Sequence, residues 1–133
     1  GGADLCYAGM GLSGHLAFND PPEGPASDFS AAPTRRVVLS EVTRSQICLA
    51  GTDGIWDTIP RRAMTVGMRE ILAARRLHFT LLRTWHAGLW RRAFFGPVTA
   101  EFPASFAQQH PNVRVTMTAQ AARIPASHAS LRV

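Results

Sequence analysis

A glycine-rich turn follows a short apolar run near the start of the chain, and it constrains the fold more than any other feature. Residues 5–8 form the apolar run, and Gly9, Gly11 and Gly14 follow within six residues. Such a run predicts a buried strand, and closely spaced glycines let the backbone approach a ligand. Because ligands of open α/β sheets bind at the carboxyl ends of the strands, the sequence predicts a site at this turn.

Two titratable residues, His15 and Asp20, come directly after the glycines. Imidazole gains or loses a proton near neutral pH, and a carboxylate bonded to one ring nitrogen fixes the tautomer. The same residues also suit a structural role, in which His15 ties down the turn and Asn19 and Asp20 form an Asn-Asp-Pro turn. From composition alone the structural role of His15 is favoured, whereas for Asp20 the two roles are compatible.

Strand-like and helix-like patterns alternate along the chain. Four runs predict strands, at residues 4–8, 36–39, 76–82 and 113–117. Four others predict helices, at residues 40–49, 66–74, 86–95 and 104–109. Thr65 is the candidate N-cap of the second helix, and Gly96 with Pro97 is expected to end the third. This alternation predicts an α/β fold with an open, mostly parallel sheet flanked by helices.

Three stretches are predicted to be loops or a tail. Residues 9–33 and 51–60 have loop compositions, and a loop as long as the first is typical of functional or mobile segments. Residues 119–133 are rich in Ala and Ser and are expected to form a flexible tail. Because an open sheet that began at residues 4–8 would lack neighbours, we expect residues 1–118 to be the carboxyl-terminal part of a larger domain.

Composition excludes several classes of function. The 14 basic residues give a net charge of +5 and are all arginine, but they are spread in pairs and do not form the clustered stripe that nucleic-acid binding needs. The positive potential would favour anionic substrates. We therefore expect no nucleic-acid partner.

Membrane and metal binding are also not expected. No run of about 18 apolar residues could span a bilayer, and the start of the chain does not resemble a signal peptide. Cys6 and Cys48 have neither metal-ligand nor redox spacing, which fits a reducing cytoplasm. No pair of histidines with a carboxylate has the spacing of a metal site.

The glycine block and three later blocks resemble the glucosamine-6-phosphate deaminase/isomerase family. Residues 9–21 read Gly-Met-Gly-Leu-Ser-Gly-His-Leu-Ala-Phe-Asn-Asp-Pro, and the family signature is Gly-x-Gly-x-Asp-Gly-His-x-Ala-Phe-Asn-Glu/Asp-Pro. Residues 59–68, 95–99 and 102–111 are similar to the family's Val-Pro-x-x-Ala-Leu-Thr-Val-Gly, Glu-Gly-Pro-Val and Pro-Ala-Ser-x-Leu-x-x-His-Pro segments. In this order the blocks cover most of the chain.

The resemblance implies a Rossmann-like sheet and conversion of glucosamine 6-phosphate to fructose 6-phosphate and ammonia, without an organic cofactor. It implies that His15 opens the sugar ring by moving a proton between the ring oxygen and the anomeric hydroxyl, with Asp20 orienting it. Ser13 stands where the family has an acid. The partner implied is a small sugar phosphate, and a homo-oligomer is compatible with the family. The candidate substrate- and phosphate-binding residues are Gly9, Gly11, Gly14, Asn19, Arg83 and His86.

Two departures from the family leave alternatives open. Ser13 cannot carry the negative charge of the usual Asp, and the family's phosphate loop and C2-proton base do not precede Gly1. The chain alone is therefore expected to be inactive or weakly active. One alternative is a sugar-phosphate-binding relative without catalysis. Another is a 6-phosphogluconolactonase-like hydrolase, although residues 17–21 favour the deaminase.

Overall fold

A three-stranded parallel sheet forms the centre of the protein. The structure is a computed structural model, and it describes residues 2–23 and 28–125. The strands are β1 (Cys6–Ala8), β4 (Leu77–Leu81) and β5 (Val113–Met117), in the order β1-β4-β5. Their pairing is parallel and starts in register, so the carboxyl ends of all three lie at one edge. The mostly parallel α/β fold predicted from the sequence is confirmed.

A separate two-stranded antiparallel ladder was not predicted. It pairs β2 (Arg35–Val38) with β3 (Arg62–Thr65). The expected N-cap role of Thr65 is wrong, because Thr65 ends β3 and Gly67 is the N-cap of the following helix. The Thr65 hydroxyl instead accepts from the amide of Phe18 and donates to the carbonyl of Val66.

Within residues 2–23 and 28–125, four α-helices and three short 3-10 helices surround the strands. The α-helices are α1 (Glu41–Gly51), α2 (Met68–Leu72), α3 (His86–Phe95) and α4 (Ala119–Ala122), and the 3-10 helices are Phe29–Ala31, Trp56–Thr58 and Pro103–Gln109. Helix α1 starts at an N-cap, because the Ser40 hydroxyl accepts from the amide of Thr43 at 3.1 Å. Helix α3 has the predicted bounds and ends at Gly96.

The core lies on one face of the parallel sheet. Leu77, Phe79 and Leu81 alternate along β4 and are fully buried, as the period of two of a strand requires. Phe79 meets Phe94 of α3 edge to face, with ring centroids 5.6 Å apart. On the opposite face Tyr7 is 70% exposed. This packing orients β1 and β4 so that the loops after them meet.

The segment expected to be a flexible tail begins with α4. Trp90 of α3 donates a hydrogen bond to the carbonyl of Ala121 at 2.9 Å, and Ala121 is buried. The remaining residues of that segment, 126–133, lie outside the described residues, as do residues 24–27 of the long loop. In the part of the chain that is described, no helix has the length and apolar character needed to cross a membrane.

Candidate active site

A cavity of about 410 Å³ opens where β1 and β4 end. The loop after β1 forms one side, and the loop from β4 to α3 forms another. Five of the predicted site residues line it, namely Gly9, Gly11, His15, Arg83 and His86. The site therefore lies at the carboxyl edge of a parallel sheet, where open α/β folds bind ligands.

The glycine turn closes over the ring of His15. The amide of Gly11 donates to the carbonyl of His15 at 3.0 Å, and the amide of Gly14 donates to Gly11 at 2.9 Å. A Cβ atom on Gly11 would lie 2.0 Å from both Cε1 and Nε2 of His15. Because the Gly11 amide is used inside the loop, the contribution of Gly11 to the site is the space it leaves for the imidazole.

His15 is buried, and its two ring nitrogens have different surroundings. Nδ1 lies 2.9 Å from the Ser13 hydroxyl, 3.2 Å from the Thr43 hydroxyl and 3.2 Å from Asp20 Oδ1. Nε2 lies on the side of the ring that faces Gly11, and no residue of the described ranges bonds to it. His15 thus has a carboxylate beside one ring nitrogen, and its other nitrogen lies next to Gly11, which lines the cavity as His15 does.

Asp20 lies beside Nδ1 and holds the His15 ring in this orientation. Its Oδ1 accepts from the Thr43 hydroxyl at 2.6 Å and from the Ser13 hydroxyl at 3.2 Å, and Oδ2 accepts from the Ser40 amide at 3.3 Å. Burial raises the pKa of Asp20. The hydrogen bonds from His15, Thr43 and Ser40, with the charge of His15, outweigh burial and hold that pKa well below its ordinary 3.8. Asp20 is therefore an anion at neutral pH, and its Oδ1 lies 3.2 Å from Nδ1 of His15.

The start of α1 supplies two side chains that sequence reasoning did not single out. Thr43 is 1% exposed and contacts both His15 and Asp20. Arg44 is also buried; its guanidinium pairs with Glu41 at 2.9 Å and lies 4.3 Å above the ring of Trp56. Thr43 is 28 positions from His15 in the chain, so only the folded contact reveals it.

His86 lines the same cavity but has both ring nitrogens bonded to the main chain. Nδ1 accepts from the Arg83 amide at 3.0 Å, and Nε2 donates to the Met10 carbonyl at 3.0 Å. Burial and the charge of Arg83 lower the pKa of His86, against the hydrogen bond to Met10, which raises it. A neutral His86 therefore ties the glycine turn to the start of α3. Arg83 is exposed at the rim.

Gly14 and Asn19 do not line the cavity. Gly14 has a positive φ of 78°, accepts at its carbonyl from the Ala104 amide at 2.8 Å, and leaves no room for a Cβ against the ring of Phe102. The buried Asn19 amide donates to the carbonyls of Leu16 and Val66, each at 2.8 Å. In this structure both residues hold the loop that carries His15 and Asp20.

The described residues do not form a set of metal ligands. Over residues 2–23 and 28–125, no three side chains of the His, Cys, Asp and Glu types come together as a possible metal site. Cys6 and Cys48 are free thiols.

Comparison with known proteins by sequence finds glucosamine-6-phosphate deaminases among the relatives of this chain. The chain is 37% identical over 127 residues to the glucosamine-6-phosphate deaminase of Rhodopirellula baltica, an alignment of 93% of this chain and 47% of that protein. It is 36% identical over 115 residues to the glucosamine-6-phosphate deaminase of a Geobacillus species, covering 86% of this chain and 43% of that protein. No protein-family model matches the chain.

Solved structures agree with the sequence relatives. A monomeric glucosamine-6-phosphate deaminase superposes with a TM-score of 0.77 at 28% identity, over 90% of this chain and 46% of that one. A 6-phosphogluconolactonase from Trypanosoma brucei superposes with a TM-score of 0.59 at 14% identity, over 90% of this chain and 41% of that one, and shares the fold alone. The chain spans about half the length of the relatives it matches, and the resemblance predicted from its glycine block is confirmed.

Proposed function

Because the chain is homologous to the glucosamine-6-phosphate deaminases over about half of their length, we propose that it carries the ring-opening part of such an active site. The reaction is the isomerisation of glucosamine 6-phosphate and its hydrolytic deamination, which consumes one water and yields fructose 6-phosphate and ammonia. The observation that carries the proposal is the arrangement of His15, which lines a 410 Å³ cavity and has Nδ1 3.2 Å from Asp20.

The proposed proton transfer follows from the protonation states of His15 and Asp20. With Asp20 ionised, its oxygen accepts from Nδ1–H, so Nε2 keeps a lone pair on the cavity side. Nε2 takes the proton of the anomeric hydroxyl and returns a proton to the ring oxygen, which opens the sugar. Asp20 stabilises the imidazolium formed between the two steps, since a carboxylate beside an imidazole favours its charged form.

The cavity suits a phosphorylated sugar. Its volume lies in the range of small-molecule sites, about 300–1,000 Å³. Arg83 provides a cation at the rim for the phosphate, and we assign to His86 the task of fixing the glycine turn beneath the sugar. Gly9 lines the cavity beside His15, and Gly11 leaves the space that the imidazole occupies.

The wider setting of this site is also a proposal. We assign residues 1–118 to the carboxyl-terminal part of a deaminase-like domain, and the free thiols of Cys6 and Cys48 support a reducing compartment such as the cytoplasm. The phosphate loop and the base for the C2 proton would come from the part of the family's fold that this chain does not match.

A second candidate function is sugar-phosphate binding without catalysis. Ser13 favours it, because a hydroxyl replaces the charge that the family places beside the histidine. Binding would then persist while proton transfer is slow. A lactonase activity has the support of a shared fold alone.

The test measures ammonia and fructose 6-phosphate formed by the full-length gene product from glucosamine 6-phosphate. Calorimetric titration with the same sugar runs in parallel, and 6-phosphogluconolactone is supplied in a separate arm. Ammonia release supports the deaminase, whereas tight binding without ammonia supports the binding protein. Hydrolysis of the lactone in place of ammonia release would overturn both.

A further inference from the structure

We propose that Thr43 is a positioning residue that keeps the proton of His15 on Nδ1, acting through Asp20. Its catalytic meaning rests on the function proposed above, because a fixed proton on Nδ1 is what leaves Nε2 free to act as a base. The tautomer itself is a property of the protein without substrate.

The first turn of α1 meets Asp20 at both carboxylate oxygens. The Thr43 hydroxyl donates to Oδ1 at 2.6 Å, and the amide of Ser40 donates to Oδ2 at 3.3 Å. Ser40 also caps the helix, since its hydroxyl accepts from the amide of Thr43 at 3.1 Å. The helix start therefore fixes Thr43 and the carboxylate relative to each other.

The single proton of the Thr43 hydroxyl determines which tautomer His15 adopts. A threonine hydroxyl has one proton, and Thr43 donates it to Asp20. At its 3.2 Å contact with Nδ1 the Thr43 oxygen can therefore act only as an acceptor, which requires the proton of His15 to be on Nδ1. The Ser13 hydroxyl lies 2.9 Å from Nδ1 and 3.2 Å from Asp20 Oδ1, so its single proton can serve either atom and the tautomer depends on Thr43.

Of the two hydroxyls, that of Thr43 is expected to have the larger effect. Its 2.6 Å bond to Asp20 has the length of a charge-assisted hydrogen bond, about 2.5–2.7 Å, whereas that of Ser13 is 3.2 Å. Thr43 is also almost completely buried, so water cannot replace its hydroxyl. Because Ser13 supplies no charge, Asp20 is the carboxylate that faces Nδ1 in the described chain.

Two other buried histidines carry their proton on Nε2, so they serve as an internal reference for the tautomer opposite to that proposed for His15. His86 donates from Nε2 to Met10, and His110 donates from Nε2 to Ala74 at 2.8 Å, while a backbone amide donates to Nδ1 of each. A single spectrum of the wild-type chain should therefore contain both tautomers.

The experiment is a long-range proton–nitrogen correlation spectrum of the ¹⁵N-labelled chain at about pH 8, where histidines are mostly neutral. The His15 signals are assigned by their loss in His15→Gln. We expect wild type to show a protonated Nδ1 and an unprotonated Nε2 for His15, and the reverse for His86 and His110. Thr43→Ser should keep the wild-type pattern, and the isosteric Thr43→Val should replace it with averaged shifts at both His15 nitrogens.

Two outcomes would overturn the proposal. One is a wild-type spectrum with the His15 proton on Nε2, which decides the matter even if Thr43→Val does not fold. The other is a folded Thr43→Val, judged by unchanged His110 signals, that keeps the wild-type His15 pattern. Neither measurement involves substrate, so absence of ammonia release with a fixed Nδ1 proton would count against the proposed function alone.

Discussion

The loop after β1 and the start of α3 each contribute a buried histidine to the same cavity, and the two residues have different bonding. His86 has a main-chain partner at both ring nitrogens. His15 has a carboxylate and two hydroxyls at one nitrogen, and its other nitrogen has no hydrogen-bond partner in the described residues. Burial and position beside a cavity therefore do not identify a histidine that can move protons, whereas the partner of its second nitrogen does.

His110 strengthens this comparison because it follows the pattern of His86. Its Nε2 donates to the carbonyl of Ala74 at 2.8 Å, and its Nδ1 accepts from the amide of Asn112 at 3.1 Å. Both residues join distant segments through main-chain bonds, which is a structural task. If bonding determines function, His15 should differ from both of them in catalysis.

The largest expected effect is the loss of activity in His15→Gln. Glutamine cannot exchange a proton near neutral pH, so ammonia release by the full-length protein should fall by about 10²–10⁴-fold, the usual contribution of a general acid–base. The control is His78→Gln, on the opposite sheet face, where the imidazole lies 2.8 Å from the Thr116 hydroxyl. Equal losses in the two variants would contradict the assignment of His15.

Gly11→Ala should displace the His15 ring, and Gly9→Ala should not. The added Cβ at Gly11 would lie 2.0 Å from the imidazole, whereas a Cβ at Gly9 meets nothing within 4 Å. Urea unfolding should show a loss of up to about 3 kcal/mol for Gly11→Ala, as expected for overpacking. The His15 signals should move in that variant alone, and the comparison fails if both alanines shift them equally.

Asp20→Asn should reduce stability in a way that depends on pH. The pKa of Asp20 in the folded protein lies below its ordinary 3.8. The unfolded chain therefore takes up the proton first, and the stabilisation present at neutral pH is lost as the pH falls below about 4. Urea titrations should show a gap of about 2 kcal/mol between wild type and variant at pH 7.

That gap should shrink at pH 3. Asp4→Asn is the control, because its exposed pair with Arg75 at 3.0 Å contributes little to stability. A gap for Asp20→Asn that is the same at both pH values would show that the charge of Asp20 is not what stabilises the loop.

The smallest effect is expected for His86→Gln, as a change in stability of about 1 kcal/mol at pH 7.5. Burial lowers the pKa of His86 below its ordinary 6.5, so the unfolded state binds more protons as the pH falls and the stabilisation by neutral His86 is lost. Denaturation at pH 7.5 and pH 5.5 should show the difference between wild type and variant narrowing in acid. A widening difference would mean that His86 is stabilised as a cation.

Local patterns predicted the parts of the fold that depend on local physics. The alternation of β5 and the apolar run of β4 gave strands at their observed places, and Gly96 marked the end of α3. The strand β3 was not predicted, because Arg62–Thr65 becomes extended through its pairing with β2. Tertiary pairing of this kind leaves no signal in the residues themselves.

Local sequence likewise predicted some residues of the site and not others. The glycine block pointed to His15 because the loop and the residue are contiguous in sequence. Thr43 was not predicted, since a threonine in a helix has no pattern until the fold brings it to Asp20. The bonding of His86 and Asn19 to main-chain atoms also depends on segments that are far apart in the chain.

The side chain of Asn19 has a consequence for how the protein opens. Its amide donates to Leu16 and to Val66 just beyond β3, and its oxygen accepts from Arg35 of β2 at 2.8 Å. Local unfolding of the two-stranded ladder would therefore release the loop that holds the proton-transfer pair, and amide hydrogen exchange should report one shared opening for both. The ladder, which adds no side chain to the cavity, would thus set how long that pair stays assembled.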